Sequence, residues 1–314
     1  MPLLITAAIC SYQRHDLLAG AVRSLLAQHL PVAQRQIIIV DNSPPSAKAD
    51  ATAAAFQGRE NLLWLRTEKP GLSHARNMAL AAASAPIIAF MDDDAFAEAD
   101  WLDALVRAFA ELGETVHAVG GMLRPHWASP RPAWLTDRLI GSLGILNLGA
   151  RRRLLAPDEA VMGANIAFRR DVLASLGGFD TSLGRIGGAA SLLSGEDNAV
   201  LRRIRAAGGQ IAYEPTAVIN HIMDPNRLTR RWFRRRFAWE AVSEYLQNPE
   251  ACFEESDAAW AGVKAFLLQL PPADRSLRGL ALAPKDNAAF EQQLHAIAHA
   301  IQALLAGIED HDDA

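Results

Sequence analysis

The sequence has little cysteine and no long apolar run. Only two of its 314 residues are cysteines, Cys10 and Cys252, which excludes a disulfide framework and a cysteine zinc site. A reducing compartment follows as the simplest expectation. No uncharged apolar run reaches the roughly 18–20 residues of a membrane span. Because the N-terminal stretch also lacks a basic leader and a cleavage site, we expect a cytoplasmic protein.

The sequence also lacks a strong overall charge. Its formal net charge is −4, which argues against a protein that coats nucleic acid, so no nucleic-acid partner is expected. Half of the residues are hydrophobic and 21% are charged, as in ordinary globular proteins. A chain of this length allows one large domain, or one domain with an appendage.

Short apolar runs alternate with helical periodicity over roughly the first 90 residues. The pattern predicts strands at residues 3–9, 37–40, 62–65 and 87–91, each followed by a helix. Such alternation favours a right-handed, parallel, wound sheet. Further strands are predicted at residues 116–122, 161–168 and 211–217, with an irregular excursion over 123–158.

Three adjacent carboxylates, Asp92, Asp93 and Asp94, follow the fourth predicted strand. Like charges repel, and a divalent cation such as Mg²⁺ or Mn²⁺, which takes oxygen ligands, would offset that repulsion. A solvated acidic turn that caps the next helix is the alternative. If the strand continues through the triplet, Asp93 points opposite to its two neighbours.

Polar clusters follow the other predicted strands as well. In an open α/β sheet, the carboxyl ends of parallel strands meet at the edge where ligands bind. We therefore expect these clusters to converge on one site. They are Ser11-Tyr12-Gln13-Arg14, Asp41-Asn42-Ser43 and Gly71-Leu72-Ser73-His74-Ala75-Arg76-Asn77.

Taken in order, these clusters resemble the motifs of the family 2 glycosyltransferases. The shared set also includes Phe90-Met91-Asp92-Asp93-Asp94 and Gly195-Glu196-Asp197, and the resemblance runs from residue 3 to about residue 221. It implies an α/β fold of the GT-A type, a Rossmann-like wound mixed sheet with a C-terminal helical appendage. We place the catalytic domain at residues 1–225, with a nucleotide-sugar half at 1–122 and an acceptor half at 123–225. A helical extension is expected over 226–314.

The resemblance implies donor-binding roles in the first half. Tyr12 would stack on the base, and Asp41 would accept a hydrogen bond from it. Arg14 and Arg76 would meet phosphate oxygens. A surface salt bridge for Arg76 and a turn-forming role for Asp41 remain alternatives. The remaining residues of this nucleotide-sugar site would be Ser11, Asn42 and Gly71.

The acidic triplet would hold Mn²⁺ or Mg²⁺. Asp94 would ligate the metal, and Asp92 or Asp93 would contact the ribose. His221, which follows the last predicted strand, would complete the metal site, as an imidazole suits Mn²⁺. A satisfied structural histidine is the other interpretation.

The second half would supply the catalytic base. Asp197 would take the proton of an acceptor hydroxyl as that oxygen attacks the anomeric carbon, which inverts the centre. Glu196 is the competing candidate, and Glu196 and Asn165 are placed on the acceptor side. Without the resemblance, acidic residues here would simply favour a helix N-terminus.

Six arginines lie between Arg227 and Arg236. Three interpretations stay open: contact with donor phosphates through Arg227 and Arg231, docking on an anionic membrane surface, or a solvated face behind packed aromatic residues. Docking would make the protein peripheral on the inner face of a membrane.

The predicted function is transfer of a sugar from a nucleotide-sugar donor to a saccharide, lipid-linked or protein acceptor, in polysaccharide or glycoconjugate biosynthesis. A nucleotidyltransferase is one alternative, but it needs a glycine-rich phosphate loop after the first strand, and residues 11–14 contain no glycine. A non-catalytic nucleotide-binding protein, with the C-terminal helices as its interface, is the other.

Overall fold

The computed structural model of the protein describes residues 1–187 and 191–309. Nine strands lie in this part of the chain: β1 (Ile5–Ser11), β2 (Arg35–Asp41), β3 (Leu62–Arg66), β4 (Ile87–Asp92), β5 (Ala95–Ala97), β6 (Val116–Trp127), β7 (Arg153–Leu154), β8 (Asn165–Arg169) and β9 (Gln210–Met223). Ten α-helices accompany them among the described residues: α1 (His15–Leu26), α2 (Ala47–Ala54), α3 (Leu72–Ala82), α4 (Trp101–Leu112), α5 (Arg170–Ser175), α6 (Glu196–Ala206), α7 (Arg230–Gln247), α8 (Pro249–Glu254), α9 (Ser256–Leu268) and α10 (Asn287–Glu309).

The strands form one mixed sheet in the order β3-β2-β1-β4-β8-β6-β9-β5, with β7 paired to β9. The first four sheet positions are parallel, and β6 runs parallel to β9. Strand β8 is inserted antiparallel between β4 and β6. The predicted wound α/β sheet of mixed direction is thus confirmed.

Alternation of side chains along β1 explains why helices cover both faces of the sheet. Ile5, Ala7 and Ile9 point into a core shared with α1 and α4. Ala8, between them, points into a second core formed with α3 and α6. Strands buried on both faces read as continuous apolar runs, which is the pattern seen in the sequence.

Several boundaries differ from the prediction. The strand predicted at residues 161–168 begins only at Asn165, and β6 continues to Trp127, into the stretch predicted to be irregular. Strand β9 runs on to Met223, so His221 lies within it and not after it. Strand β5 was not predicted, because three residues are too short for a period to show. It pairs Ala95 with His221 and so extends the ladder beside the acidic triplet.

The chain divides into two compact units. The first comprises residues 1–128, 144–190 and 196–223, and contains the sheet. The second comprises residues 129–143, 191–195 and 224–314. The second unit therefore differs from the contiguous extension predicted at 226–314, because it recruits two segments from the middle of the sequence.

The second unit is built on helices α7 to α10. Trp134, from one of the recruited segments, packs edge-to-face against Phe233 and Phe290, with ring centroids 5.3 and 5.4 Å apart. Phe233 and Phe290 are fully buried, which makes this aromatic cluster the centre of the unit's core. Over the described residues, no helix combines the length and apolar character that a membrane crossing requires.

A close approach of β6 to β9 can be tested at Gly121. A β-carbon there would lie 1.9 Å from the carbonyl oxygen of Ala217 and 2.4 Å from Nδ2 of Asn165. We expect Gly121→Ala to cost about 3 kcal/mol of unfolding free energy, the upper end for overpacked cores, measured by urea denaturation. Gly20→Ala is the control: nothing lies within 4 Å of that site in α1, so it should gain up to about 1 kcal/mol. Equal behaviour of the two variants would contradict this packing.

Candidate active site

The carboxyl ends of β1, β2 and β4 bring the predicted polar clusters together at one edge of the sheet. In the register of the sheet, Ser11 lies opposite Asp41, and Cys10 lies between Val40 and Asp92. The chain then turns at Asp93 and Asp94 before β5 begins. Convergence at this edge is therefore a direct result of the parallel topology.

The acidic triplet does not continue as an extended strand. Because β4 ends at Asp92, the turn sends both Asp93 and Asp94 towards Arg14, whose Nη1 donates to Asp93 Oδ1 at 3.2 Å and to Asp94 Oδ2 at 2.7 Å. The Ser11 hydroxyl donates to Asp93 Oδ2 at 2.6 Å. The alternating orientation expected of an extended strand does not apply to Asp93, because a turn replaces the strand after Asp92.

Two of the three carboxylates are buried, and Arg14 offsets part of their charge. Asp93 and Asp94 are 6% and 4% exposed, whereas the side chain of Asp92 is 37% exposed. Burial and then the charge of Asp94 raise the pKa of Asp93 to about 6, although Arg14 and the Ser11 hydroxyl oppose the shift. Burial lowers the pKa of Arg14, but the charges of Asp94 and Asp93 outweigh that effect and raise it. The guanidinium thus stays charged and offsets part of the negative charge of the turn.

Asp92, Asp94 and His221 form a group suited to a metal ion. Each offers one ligand atom, and these atoms lie within 4.8 Å of one another. His221 Nε2 is 3.1 Å from Asp94 Oδ1, and within the described residues its buried Nδ1 has no hydrogen-bond partner. Two carboxylate oxygens with one imidazole nitrogen suit Mn²⁺ better than Mg²⁺. The residues present therefore fit the ion that the sequence resemblance implies.

The side chain of Asp41 is already engaged within the fold. His15 Nε2 lies 3.1 Å from Asp41 Oδ2, and the Ser43 amide donates to Oδ1 at 3.1 Å. Asp41 is 1% exposed, so its predicted contact with the base requires this arrangement to open. His15 was missed by the sequence reasoning, although it directly follows the Ser-Tyr-Gln-Arg cluster.

Tyr12 is half-buried and lies beside Gly187.

Asn42 fixes the loop that carries Gly71. Its Nδ2 donates to the carbonyl of Lys69, and its Oδ1 accepts from the Gly71 amide at 2.8 Å. Gly71 has φ +135°, a conformation that residues with a β-carbon rarely adopt. Asn42 and Gly71 are buried and set the start of α3, and any contact they make with a nucleotide stays a prediction.

Arg76 lies in the interior and not on the surface. It is 3% exposed, and its Nη1 donates to Glu196 Oε1 at 2.7 Å. Its Cζ lies 5.8 and 5.2 Å from the ring centroids of Phe90 and Phe179. Arg76 Nη2 is also 3.9 Å from Asp92 Oδ1. The side chain thus spans from the acidic triplet to the start of α6.

Glu196 and Asp197 occupy the first turn of α6 but differ in environment. Glu196 is 5% exposed, and burial raises its pKa, with Arg76 opposing the shift. Asp197 is only partly buried; its Oδ2 accepts from the Gly163 amide at 2.7 Å and its Oδ1 from the Asn198 amide at 2.9 Å. Of the two, Asp197 is the one open to an incoming hydroxyl group.

Asn165 joins elements of the sheet. It is fully buried; its Oδ1 accepts from Trp101 Nε1 at 2.8 Å, and its Nδ2 donates to the carbonyls of Met122 and Ala217 at 2.9 and 2.8 Å. A role of Asn165 towards an acceptor would therefore act through this brace and not by direct contact.

The arginine-rich helix α7 is described within the second unit alone. Arg230 and Arg234 both lie over the ring of Phe290, with Cζ 5.2 and 5.6 Å from its centroid, and Arg236 pairs with Glu240 at 2.7 Å. Arg231 is exposed, and its predicted phosphate contact, like that of Arg227, stays a prediction. Packing onto aromatic residues is thus shown for part of this helix.

Comparison with known proteins adds an independent line of evidence. A family model described as Glycosyl transferase family 2 matches residues 6–177. The chain is 30% identical over 237 residues to succinoglycan biosynthesis protein ExoM of Rhizobium meliloti, covering 74% of this chain and 71% of that protein. It is 26% identical over 247 residues to glucosyl-dolichyl phosphate glucuronosyltransferase of Haloferax volcanii, covering 78% and 77%.

Solved structures agree on the fold. The mannosyltransferase PcManGT from Pyrobaculum calidifontis, in complex with GDP-Man and Mn²⁺, superposes with a TM-score of 0.60 at 22% identity, covering 97% of this chain and 88% of that one. GalNAc-T7 with UDP, GalNAc and Mn²⁺ gives a TM-score of 0.52 at 16% identity, covering 76% and 50%. At these identities the likeness concerns the fold alone.

The balance of charge at the turn can be tested with Arg14→Met. Loss of the guanidinium leaves Asp93 and Asp94 facing each other, and we expect a loss of about 2 kcal/mol in unfolding free energy, as for hydrogen bonds to charged groups. Arg59→Met, at an exposed arginine, is the control and should stay within about 0.5 kcal/mol. Equal losses in the two variants would show that water, and not Arg14, screens the turn.

Proposed function

The chain belongs to glycosyl transferase family 2, and from this premise we propose that it is an inverting, metal-dependent enzyme that uses a nucleoside-diphosphate sugar. Family and fold make it a glycosyltransferase with a GT-A fold. The finer proposal concerns the metal, the stereochemistry and the substrates. Its main support is the convergence of Asp92, Asp94 and His221 at the sheet edge where α/β folds bind nucleotides.

The donor site is assigned to the ends of β1, β2 and β4. Asp92, Asp94 and His221 would hold a divalent ion, which, when bound, stabilises the charge that develops on the departing diphosphate. The half-exposed Tyr12 is available to stack on a base. Asp93, held by Ser11 and Arg14, keeps the turn in place. By holding the donor in a reactive geometry, these side chains would lower the activation free energy of sugar transfer.

Asp197 is assigned as the base. As the acceptor oxygen attacks the anomeric carbon, the carboxylate takes the hydroxyl proton, and the bond from the anomeric carbon to the diphosphate oxygen breaks. A single displacement on the face opposite the leaving group inverts that carbon. The partial exposure of Asp197, beside a Glu196 committed to Arg76, supports this choice over Glu196.

The relatives suggest the class of substrates. One is named for succinoglycan biosynthesis, another for glucosyl-dolichyl phosphate, and the matched mannosyltransferase was solved with GDP-Man and Mn²⁺. We infer a saccharide or lipid-linked acceptor in polysaccharide or glycoconjugate biosynthesis, and Mn²⁺ as the preferred ion.

Peripheral membrane contact through α7 is supported only by the exposure of Arg231 and Arg235. Flotation of the protein with anionic vesicles measures this contact directly.

The metal assignment predicts the behaviour of Asp94→Asn. In the parent protein, Mn²⁺ together with UDP or GDP should raise thermal stability, since a ligand at 100 times its Kd adds about 2.7 kcal/mol. Asp94→Asn should abolish the Mn²⁺-dependent part of that shift in a thermal denaturation assay. Asp16→Asn, at a side chain 81% exposed in α1, should behave like the parent. An undiminished shift in Asp94→Asn would refute the site.

The base assignment predicts a loss of turnover without a loss of binding. Asp197→Asn keeps the shape of the side chain but removes its basicity, so we expect kcat to fall about 10²- to 10⁴-fold. The measurement is release of UDP or GDP from UDP-glucose or GDP-mannose with Mn²⁺, water serving as the acceptor. Nucleotide affinity should be unchanged. A larger kcat loss in Glu196→Gln than in Asp197→Asn would transfer the role to Glu196.

A further inference from the structure

Four residues in the first unit form a closed series of contacts around the proposed base. Arg76 Nη1 donates to Glu196 Oε1 at 2.7 Å, and Nη2 of the same guanidinium donates to the Gly163 carbonyl at 3.3 Å. The Gly163 amide then donates to Asp197 Oδ2 at 2.7 Å. Since Glu196 and Asp197 are neighbours at the start of α6, the series begins and ends on the same turn of helix.

Gly163 makes this arrangement possible because it has no side chain. A β-carbon there would lie 2.7 Å from Arg76 Nη2 and 2.9 Å from Asp197 Oδ2. Its φ lies outside the left-handed range, so backbone conformation alone does not require glycine at this position. The need for glycine arises from the simultaneous approach of the guanidinium and the carboxylate.

From this geometry we propose that Arg76 and Gly163 are positioning residues for Asp197, with Glu196 as the anchor of Arg76. The proposal rests on the base assignment made above and deepens it. The two bonds at Gly163 involve its carbonyl and its amide, which belong to the peptide groups on either side of one α-carbon. Together they fix the orientation of that residue. Because the peptide groups are different, the contact with Arg76 does not polarise the amide that donates to Asp197 through a shared peptide. With Asn198 donating to its other oxygen at 2.9 Å, Asp197 is held in one orientation while lone pairs remain for a proton.

The burial of Arg76 favours a positioning role for this residue over direct contact with a donor. Arg76 is 3% exposed, and both of its terminal nitrogens are engaged. The rings of Phe90 and Phe179 flank it, which keeps water away from the ion pair. Glu196 is equally enclosed, and among the described residues its Oε2 has no hydrogen-bond partner. A buried pair of this kind is costly to break from one side, which keeps Arg76 in place.

The test uses Arg76→Lys, Gly163→Ala and the double variant Arg76→Met with Glu196→Met. Lysine keeps the charge opposite Glu196 but is shorter and has no fork of two nitrogens, so it cannot reproduce the paired contacts with Glu196 and Gly163. The double methionine variant removes the guanidinium without leaving a buried charge unpaired, so it should fold. Arg169→Lys is the control, because Arg169 also donates to backbone carbonyls away from the site, those of Val116, Phe109 and Gly113.

We expect kcat for UDP-glucose or GDP-mannose turnover to fall about 10- to 100-fold in the three test variants, the cost of a misplaced catalytic group, with nucleotide Kd unchanged and Arg169→Lys like the parent. In an Asp197→Asn background the same changes should have no further effect, since they act through that carboxylate. A parallel loss of nucleotide affinity, or an undiminished kcat loss in that background, would overturn the proposal. Full turnover by Asp197→Asn alone would instead refute the base assignment.

A readout that does not need turnover is the amide proton of Gly163 in an NMR spectrum of the full chain. Donation to a carboxylate should shift this proton downfield in the parent protein. The shift should be smaller in Asp197→Asn, whose neutral amide oxygen is a weaker acceptor, and the resonance should move towards that value in Arg76→Lys and in the double methionine variant. A Gly163 resonance that responds to Asp197→Asn but not to either Arg76 change would show that Arg76 does not position this contact.

Discussion

The compensation of negative charge at the end of β4 is the constraint on which the site depends. Two carboxylates buried within one turn repel each other by about 4 kcal/mol at 4 Å in an effective dielectric of 20. Arg14, in the loop between β1 and α1, supplies the positive charge, His221 of β9 contacts Asp94, and the half-exposed Asp92 leaves one side open to solvent. Segments that are distant in sequence thereby meet at a single turn.

Much of the first unit could be predicted from the sequence because its strands are apolar runs that end in polar clusters. Parallel strands have a common direction, so clusters that follow them meet without any knowledge of side-chain contacts. The same reasoning could not find β5, which spans only Ala95–Ala97, nor the extension of β9 past His221. Both depend on pairing between distant segments, which leaves no local period.

The sequence predicted which residues lie at the site better than it predicted which partners those residues contact. Arg76 was expected to reach phosphate oxygens, yet it is buried against Glu196, because that glutamate arrives from a helix 120 residues away. His15 was not singled out, although it holds Asp41 from the adjoining α1. A residue type in a motif indicates that a charge is needed near the site, whereas the partner of that charge is decided by packing across the sheet.

The second unit is drawn from three separate stretches of the chain, so the polypeptide passes between the units five times, at 128/129, 143/144, 190/191, 195/196 and 223/224. Genetic recombination that exchanged only the C-terminal ninety or so residues would therefore import helices without the Trp134 segment on which their core is built. Such a unit cannot travel between genes as a cassette. Its diversification therefore depends on changes in all three stretches of the same chain.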